Sequence, residues 1–298
     1  MTRLLIALLL TLTAPFANAA VRVFACEPEW DALARELGGD RVEVYAATTA
    51  QQDPHRVQAR PSLIAQLRQA NLLVCTGADL EAGWLPVLLR QARNPAVQPG
   101  RPGHFLAADQ VTLLEVPASV DRAEGDVHPQ GNPHVQLDPR RIAVIAGALG
   151  RRLAEIDPDD APGYRARTDA FLQRWEAATR QWERQAVPLR GSRYVVQHAE
   201  WVYLFDWLGL QAAGALEPKP GLPPAAGHLA GLKAALAADS AAGILRSPLG
   251  DPRPAEWLAT ATGLPVIELP QTVGATPEAG SLTALFDTII GRLSRERR

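Results

Sequence analysis

The chain has 298 residues, with 30 Lys and Arg against 32 Asp and Glu and a formal net charge of −2. That balance gives no electrostatic case for nucleic acid or for a membrane surface as a partner. Proline and glycine are scattered through the chain rather than gathered in one stretch, so composition does not indicate low-complexity disorder.

At the start, Met1-Thr2-Arg3 precedes a largely apolar run from Leu4 to Leu12 and then Ala17-Asn18-Ala19. A basic head, a short apolar core and a small-residue site read as a signal peptide over residues 1–19, cut after Ala19. The run is too short to span a bilayer. No second stretch approaches its length, so the mature chain is expected free in a periplasm. Cleavage would remove Arg3 and no acid, taking the charge from −2 to −3. Cys26 in Val23-Phe24-Ala25-Cys26 is set aside as a lipidation site, because Phe24 is bulky and the cysteine lies beyond the better cleavage site.

Short β-branched or apolar runs then alternate with helical patterns. Val21–Ala25 predicts a strand, Glu29–Leu37 a helix ended by Gly38-Gly39, and Arg41–Ala46 a second strand. Ser62–Gln69 predicts a helix, Asn71–Cys75 a strand, Glu81–Ala92 a helix, and Val111–Val116 a further strand. A helix opens at Pro139, with Asp138 as its cap. From Tyr164 to about Gln185 no breaker occurs, and Tyr164, Thr168, Phe171, Trp175, Ala178 and Trp182 recur at spacings of four and three. This predicts one amphipathic helix well beyond ordinary globular length. Alternation resumes from Tyr194–Gln197 to a closing helix at Leu282–Leu293. The expected fold is α/β, with two parallel-sheet lobes flanking one long helix. The lobes are expected at 20–158 and 188–298, with the helix at 159–187. The aromatic run Trp201, Tyr203, Phe205 and Trp207 is read as core, and Glu200 and Asp206 as solvated or structurally paired.

Cys26 and Cys75 each close a strand-like run. Were those strands neighbours, their carboxyl ends would lie side by side and export would favour a disulfide. Two buried thiols remain the alternative, because sequence does not supply the required geometry. The C-x-x-C spacing of thiolate zinc sites is absent.

Three histidines stand out. His55 follows Gln52-Asp53-Pro54, His134 follows Asn132-Pro133, and His198 closes the apolar run Tyr194–Gln197. Each sits where a proline or a strand end fixes the backbone. Imidazoles drawn from separate α/β units are what a neutral-nitrogen metal site needs, and three of them suit Zn2+ better than Mn2+, which prefers oxygen. A lone histidine is more often an ordinary surface or core residue, and His104 and His228 are read that way. His128 is read as a loop residue, with transient metal contact as its other reading. Arg56 is read either as holding a second carboxylate near the site or as plainly exposed.

Taken in order, Phe24-Ala25-Cys26-Glu27-Pro28-Glu29-Trp30, Gln52-Asp53-Pro54-His55, Asn132 to Pro139, Gln197-His198 with Trp201-Val202-Tyr203-Leu204, and Glu217-Pro218-Lys219-Pro220-Gly221 resemble the periplasmic solute-binding proteins of zinc and manganese ABC importers. The resemblance covers nearly the whole mature chain. It implies that the long helix is rigid, that metal is held in the cleft between the lobes, and that His55, His134 and His198 are ligands. It also implies delivery to a membrane permease by a monomeric receptor, with a loading metallochaperone and a manganese or iron cargo left open. The family's fourth ligand is usually a late aspartate, whereas Leu269 to Pro277 carries no acid before Glu278. Solvent, Glu27, Asp53, Glu217 and Glu278 are therefore all open for that position. A zinc hydrolase is the rival class, but neither H-E-x-x-H nor G-x-S-x-G occurs, and an enzyme is not expected.

Overall fold

Two four-stranded sheets, both entirely parallel, organise the molecule. The first has the order β2-β1-β3-β4, from Val42–Ala46, Val21–Ala25, Leu72–Cys75 and His104–Leu106. The second has the order β6-β5-β7-β8, from Gln211–Ala215, Arg193–Val196, Gly243–Arg246 and Val266–Glu268. These come from a computed structural model that describes residues 20–119, 125 and 128–295. The expected leader, residues 1–19, lies outside them. In each sheet the first strand is central, with its successors placed on opposite sides. Ligand crevices in such sheets form beyond the carboxyl ends of the strands, where the order reverses.

Proline and acidic caps set the helix starts. The helix α1 (Pro28–Gly38) opens on Pro28 with Glu29 and Asp31 in its first turn, and α2 (Pro61–Gln69) opens on Pro61. Proline's missing N–H costs nothing at that position, and the acids oppose the positive end of the helix dipole. The expected helix from Glu81 is shorter than its pattern: α3 runs Leu85–Ala92. Pro86 has no N–H to bond back to the Ala82 carbonyl and its ring would clash there, so it stands in the first turn of the helix and the preceding residues form turns. The Asp138 carboxylate accepts the Arg140 N–H at 2.8 Å, capping α4 (Pro139–Ile156).

The long helix is α5, Ala161–Ala186. Tyr164, Thr168, Phe171, Trp175 and Trp182 are buried along one stripe, and the Thr168 hydroxyl donates to the Tyr164 carbonyl at 2.7 Å. A Cβ at Gly150 of α4 would stand 2.1 Å from the Thr168 Oγ1, so glycine is what lets α4 and α5 approach. Trp175, Trp182, Trp207 and Phe286 interlock with centroids 5.1–6.5 Å apart. Trp207 belongs to α6 (Val202–Leu208) and Phe286 to α9 (Leu282–Arg295). The indole N–H groups are satisfied: Trp175 donates to the Pro139 carbonyl and Trp182 to the Asp287 carboxylate. One continuous core thus runs from β1 and β3 through α1, α4, α5 and α9 to β5 and β8. Smaller clusters lie under α2 and α3, and under α7 (Ala226–Ala238) and α8 (Pro252–Thr262). Among the described residues no helix is long and apolar enough to cross a membrane.

The expected strand at Val111–Val116 does not form; β4 lies earlier, at His104–Leu106 beside β3. The backbone of the later segment is engaged elsewhere. Leu114 N–H donates to the Tyr203 hydroxyl at 3.1 Å, and the Leu114 carbonyl accepts from Asn132 N–H at 2.8 Å. The two cysteines form a disulfide, Cys26–Cys75, with Cα atoms 4.8 Å apart at the ends of neighbouring β1 and β3. Closing a 49-residue separation stabilises a chain by about 4 kcal/mol in the loop-entropy view.

Beside the disulfide sits a group of buried acids, Glu27, Glu29 and Glu81. Burial raises Glu29 from the usual 4.5 to about 7, although the Thr272 hydroxyl donates to it from the other half of the molecule. In the fold Glu29 holds its proton at pH values where the unfolded chain has released it. The resulting penalty is absent below 4.5, grows as pH rises, and is complete above about 7. The Glu29→Gln variant should therefore match the parent in urea unfolding near pH 4.5 and exceed it by roughly 3 kcal/mol near pH 8; a gap independent of pH would contradict this account.

Candidate metal centre

Three loops at the carboxyl edges of the two sheets bring His55, His134 and His198 together, with one ring nitrogen of each within 4.8 Å of the others. Their ring centroids lie 5.6–6.1 Å apart. They stand at the end of a cleft of about 870 Å³ between the halves, whose walls include Glu27, Glu29, Glu200 and Gln271.

Each ring is aimed by local chemistry that its sequence encodes. After β2, Pro54 opens a single 3-10 turn, and Asp53 accepts the His55 backbone N–H at 3.0 Å. The same Asp53 oxygen lies 2.8 Å from His55 Nδ1. A carboxylate only accepts, so Nδ1 carries the proton and Nε2 presents a lone pair. Trp84 holds the turn from behind, donating to the Pro54 carbonyl at 2.8 Å. Burial works most strongly against the Asp53 charge, yet the side-chain and backbone hydrogen bonds from His55, with the charges of His55 and Arg56, together outweigh it and keep this acid below the ordinary carboxylate range.

His198 stands two residues beyond Val196, the last residue of β5. Glu217 lies 2.8 Å from its Nδ1 and also accepts the Gly221 N–H at 2.8 Å. Gly221 has φ +77°, a backbone state that glycine adopts without penalty. The Glu217-Pro218-Lys219-Pro220-Gly221 turn therefore carries and orients the acid that orients His198.

His134 is the most enclosed of the three, at 8% exposure. Asn132 accepts its backbone N–H at 3.0 Å and donates to the Ala199 carbonyl at 2.8 Å, so one amide ties the His134 loop to the turn after His198. The Tyr203 hydroxyl donates to the Asn132 carbonyl. Burial, reinforced by the neighbouring rings of His198, His55 and His128, holds the His134 pKa well below the usual imidazole value. A neutral ring is what a metal requires. Zinc–nitrogen bonds of about 2.05 Å in a tetrahedron give donor separations of about 3.3 Å, so a bound ion would draw the three rings slightly inward.

The acids left open as a fourth donor divide. Asp53 and Glu217 stand behind the rings, each engaged with an Nδ1. Glu278 is not brought to the site: it pairs with Arg292 at 3.1 Å. Glu27 lines the cleft but accepts from Thr76 N–H and Oγ1 at 3.2 and 3.1 Å. Glu200, expected as solvated or paired, is instead 6% exposed in the cleft wall, and its Oε1 accepts no hydrogen bond among the described residues. Burial raises it to about 7, with His198 pulling the other way. The His198-Ala199-Glu200 spacing was its only signal in the sequence. Arg56 lies 3.8 Å from Asp53 and stays exposed. His104 and His228 are structural, with ring nitrogens 2.9 Å from the carbonyls of Val97 and Ala215.

The model of the family described as ZnuA, zinc-uptake complex component A, periplasmic, matches residues 23–295. The chain belongs to the ZnuA family. It is similar to the high-affinity zinc uptake system protein ZnuA of Paracoccus denitrificans, 25% identical over 313 residues and covering 93% of this chain and 91% of that one. The Yersinia pestis protein of the same name is 28% identical over 211 residues, 65% of each chain. A crystal structure of ZnuA superposes with a TM-score of 0.78 at 22% identity, covering 94% of this chain and all of that one, which establishes the shared ZnuA fold.

Carboxylates behind ligand imidazoles typically contribute ten- to a hundredfold to metal affinity, about the loss expected for Asp53→Ala and Glu217→Ala. Competition titration with Zn2+ should show weaker binding at unchanged stoichiometry; affinity equal to the parent would remove the aiming role of these acids.

Proposed function

We propose that the protein is a periplasmic zinc receptor that captures one Zn2+ between its halves through His55, His134 and His198 and presents it to the permease of an ABC importer. The observation that carries this reading is the convergence of the three imidazoles within 4.8 Å, two of them with Nδ1 committed to a carboxylate. The family match supports transport rather than catalysis, since its members are zinc-uptake components. Solute-binding components of this kind work with a membrane permease and its ATPase. The expected signal at 1–19 supports export. The division into lobes at 20–158 and 188–298, joined through 159–187, is part of this reading.

Donor chemistry favours zinc over manganese or iron(II). Three neutral nitrogens suit a borderline-soft ion that is content with four ligands. Ligands on separate loops also serve delivery, because displacing one loop weakens the site without unfolding either sheet.

The expected outcome is one tightly held Zn2+ per chain in competition with a chromophoric chelator. His134→Ala should abolish this binding, whereas His228→Ala should leave it intact. At free zinc a hundred times the Kd, the unfolding free energy should rise by about 2.7 kcal/mol. Full affinity in the His134→Ala chain, or hydrolytic turnover of activated esters by the zinc-loaded protein, would refute the receptor reading.

A further inference from the structure

A fourth imidazole faces the three already described. His128 Nε2 lies 3.3 Å from His55 Nε2, with the two ring centroids 5.3 Å apart. On its far side, His128 Nδ1 lies 3.0 Å from the Ala78 carbonyl. A carbonyl oxygen only accepts, so the neutral ring carries its proton on Nδ1 and turns its Nε2 lone pair inward. His55, held by Asp53, does the same. Two such lone pairs facing each other repel unless a positive charge lies between them. Their separation also equals the donor–donor edge of about 3.3 Å in a tetrahedral zinc site.

Two further observations agree with this arrangement. His128, His134 and His198 together line a small cavity of about 120 Å³ that shares His134 and His198 with the main cleft. The carbonyl that orients His128 is itself firmly placed. Ala78 and Asp79 both have positive φ, 50° and 63°, an uncommon state for non-glycine residues. The turn that holds them is fixed by Glu81, which accepts the N–H groups of Thr76 and Gly77 at 2.7 and 3.0 Å. Such strain persists only where the surroundings over-determine it, and it clusters at functional positions.

We infer that His128 is the fourth zinc ligand, completing a four-imidazole site from the same connection between β4 and α4 that carries His134. This rests on the three-histidine receptor reading and deepens it. His128 stands outside the tight three-ring set, its Nε2 3.3 Å from that of His55, so it joins as the rings draw in around the ion. With His128 bound, no carboxylate of the cleft enters the coordination sphere. Standing outside the tight three-ring set, it is also the ligand that an incoming donor can replace while three nitrogens keep the ion.

Zinc-edge X-ray absorption on the parent, His128→Ala and His128→Asn chains, together with chelator competition using Zn2+ alone, tests this. The parent should show four imidazole nitrogens and no oxygen. Both variants should keep one zinc per chain, replace one nitrogen by oxygen, and bind at least about tenfold more weakly, a loss already typical of losing an outer partner. A parent spectrum of three imidazoles and one oxygen would overturn the assignment and leave the receptor reading standing. So would unchanged affinity in both variants, or a second zinc that depends on His128. A parent chain that retains no zinc would sink both readings.

Discussion

Imidazole has two nitrogens, and the site depends on spending one of them outward. Asp53 and Glu217 each accept a hydrogen bond from an Nδ1–H, which leaves the opposite nitrogen of His55 and His198 bare and facing the centre. Without those outward bonds either tautomer and either ring flip would be open to each histidine, and the convergence would be lost. The same logic extends to the backbone. Asn132 satisfies the His134 N–H and the Ala199 carbonyl at once, so the loops bearing His134 and His198 cannot shift independently without breaking a shared amide. Tyr203, clamped between Leu114 and Asn132, links that amide to the packed helices below.

What the sequence disclosed was the local part of this scheme. Asp-Pro-His and Asn-Pro-His announce themselves because proline and a short polar side chain fix the backbone within two residues of the ring. The parallel strands and the long helix were readable from runs and from the spacing of four and three, since burial on one face imposes that period. The missed elements depend on distant partners. Val111 to Val116 has the composition of a strand, but Tyr203 and Asn132 engage its backbone and β4 takes the sheet edge. Glu200 looks like any helix-start acid until the fold buries it in the cleft wall. His128 differs from His104 only by what it faces, and that is set by a turn fifty residues earlier in the chain.

The cleft wall is acidic but sparingly charged. Glu27, Glu29 and Glu200 are all buried, and burial raises all three above the usual carboxyl value. Glu29 and Glu200, both raised to about 7, are partly protonated near neutral pH and would trap a dication along the walls less than ionised carboxylates do, which favours the proposed nitrogen cluster for a borderline-soft ion. Glu29 also ties the halves together by accepting from the Thr272 hydroxyl, and the Gln136 amide does so by donating to the Gln271 carbonyl.

The tryptophan and phenylalanine stack beneath the cleft has a mechanical consequence. Because Trp175, Trp182, Trp207 and Phe286 belong to one core shared by both sheets, prising the halves apart in the manner of a bivalve would wet several large aromatic faces. Each such side chain contributes on the order of 1.5–3 kcal/mol by staying dry, which makes a wide gape far too costly for routine turnover. Loading and unloading must then proceed by the swing of individual loops over a stiff chassis, and a docking permease would sense the cargo through the posture of those loops.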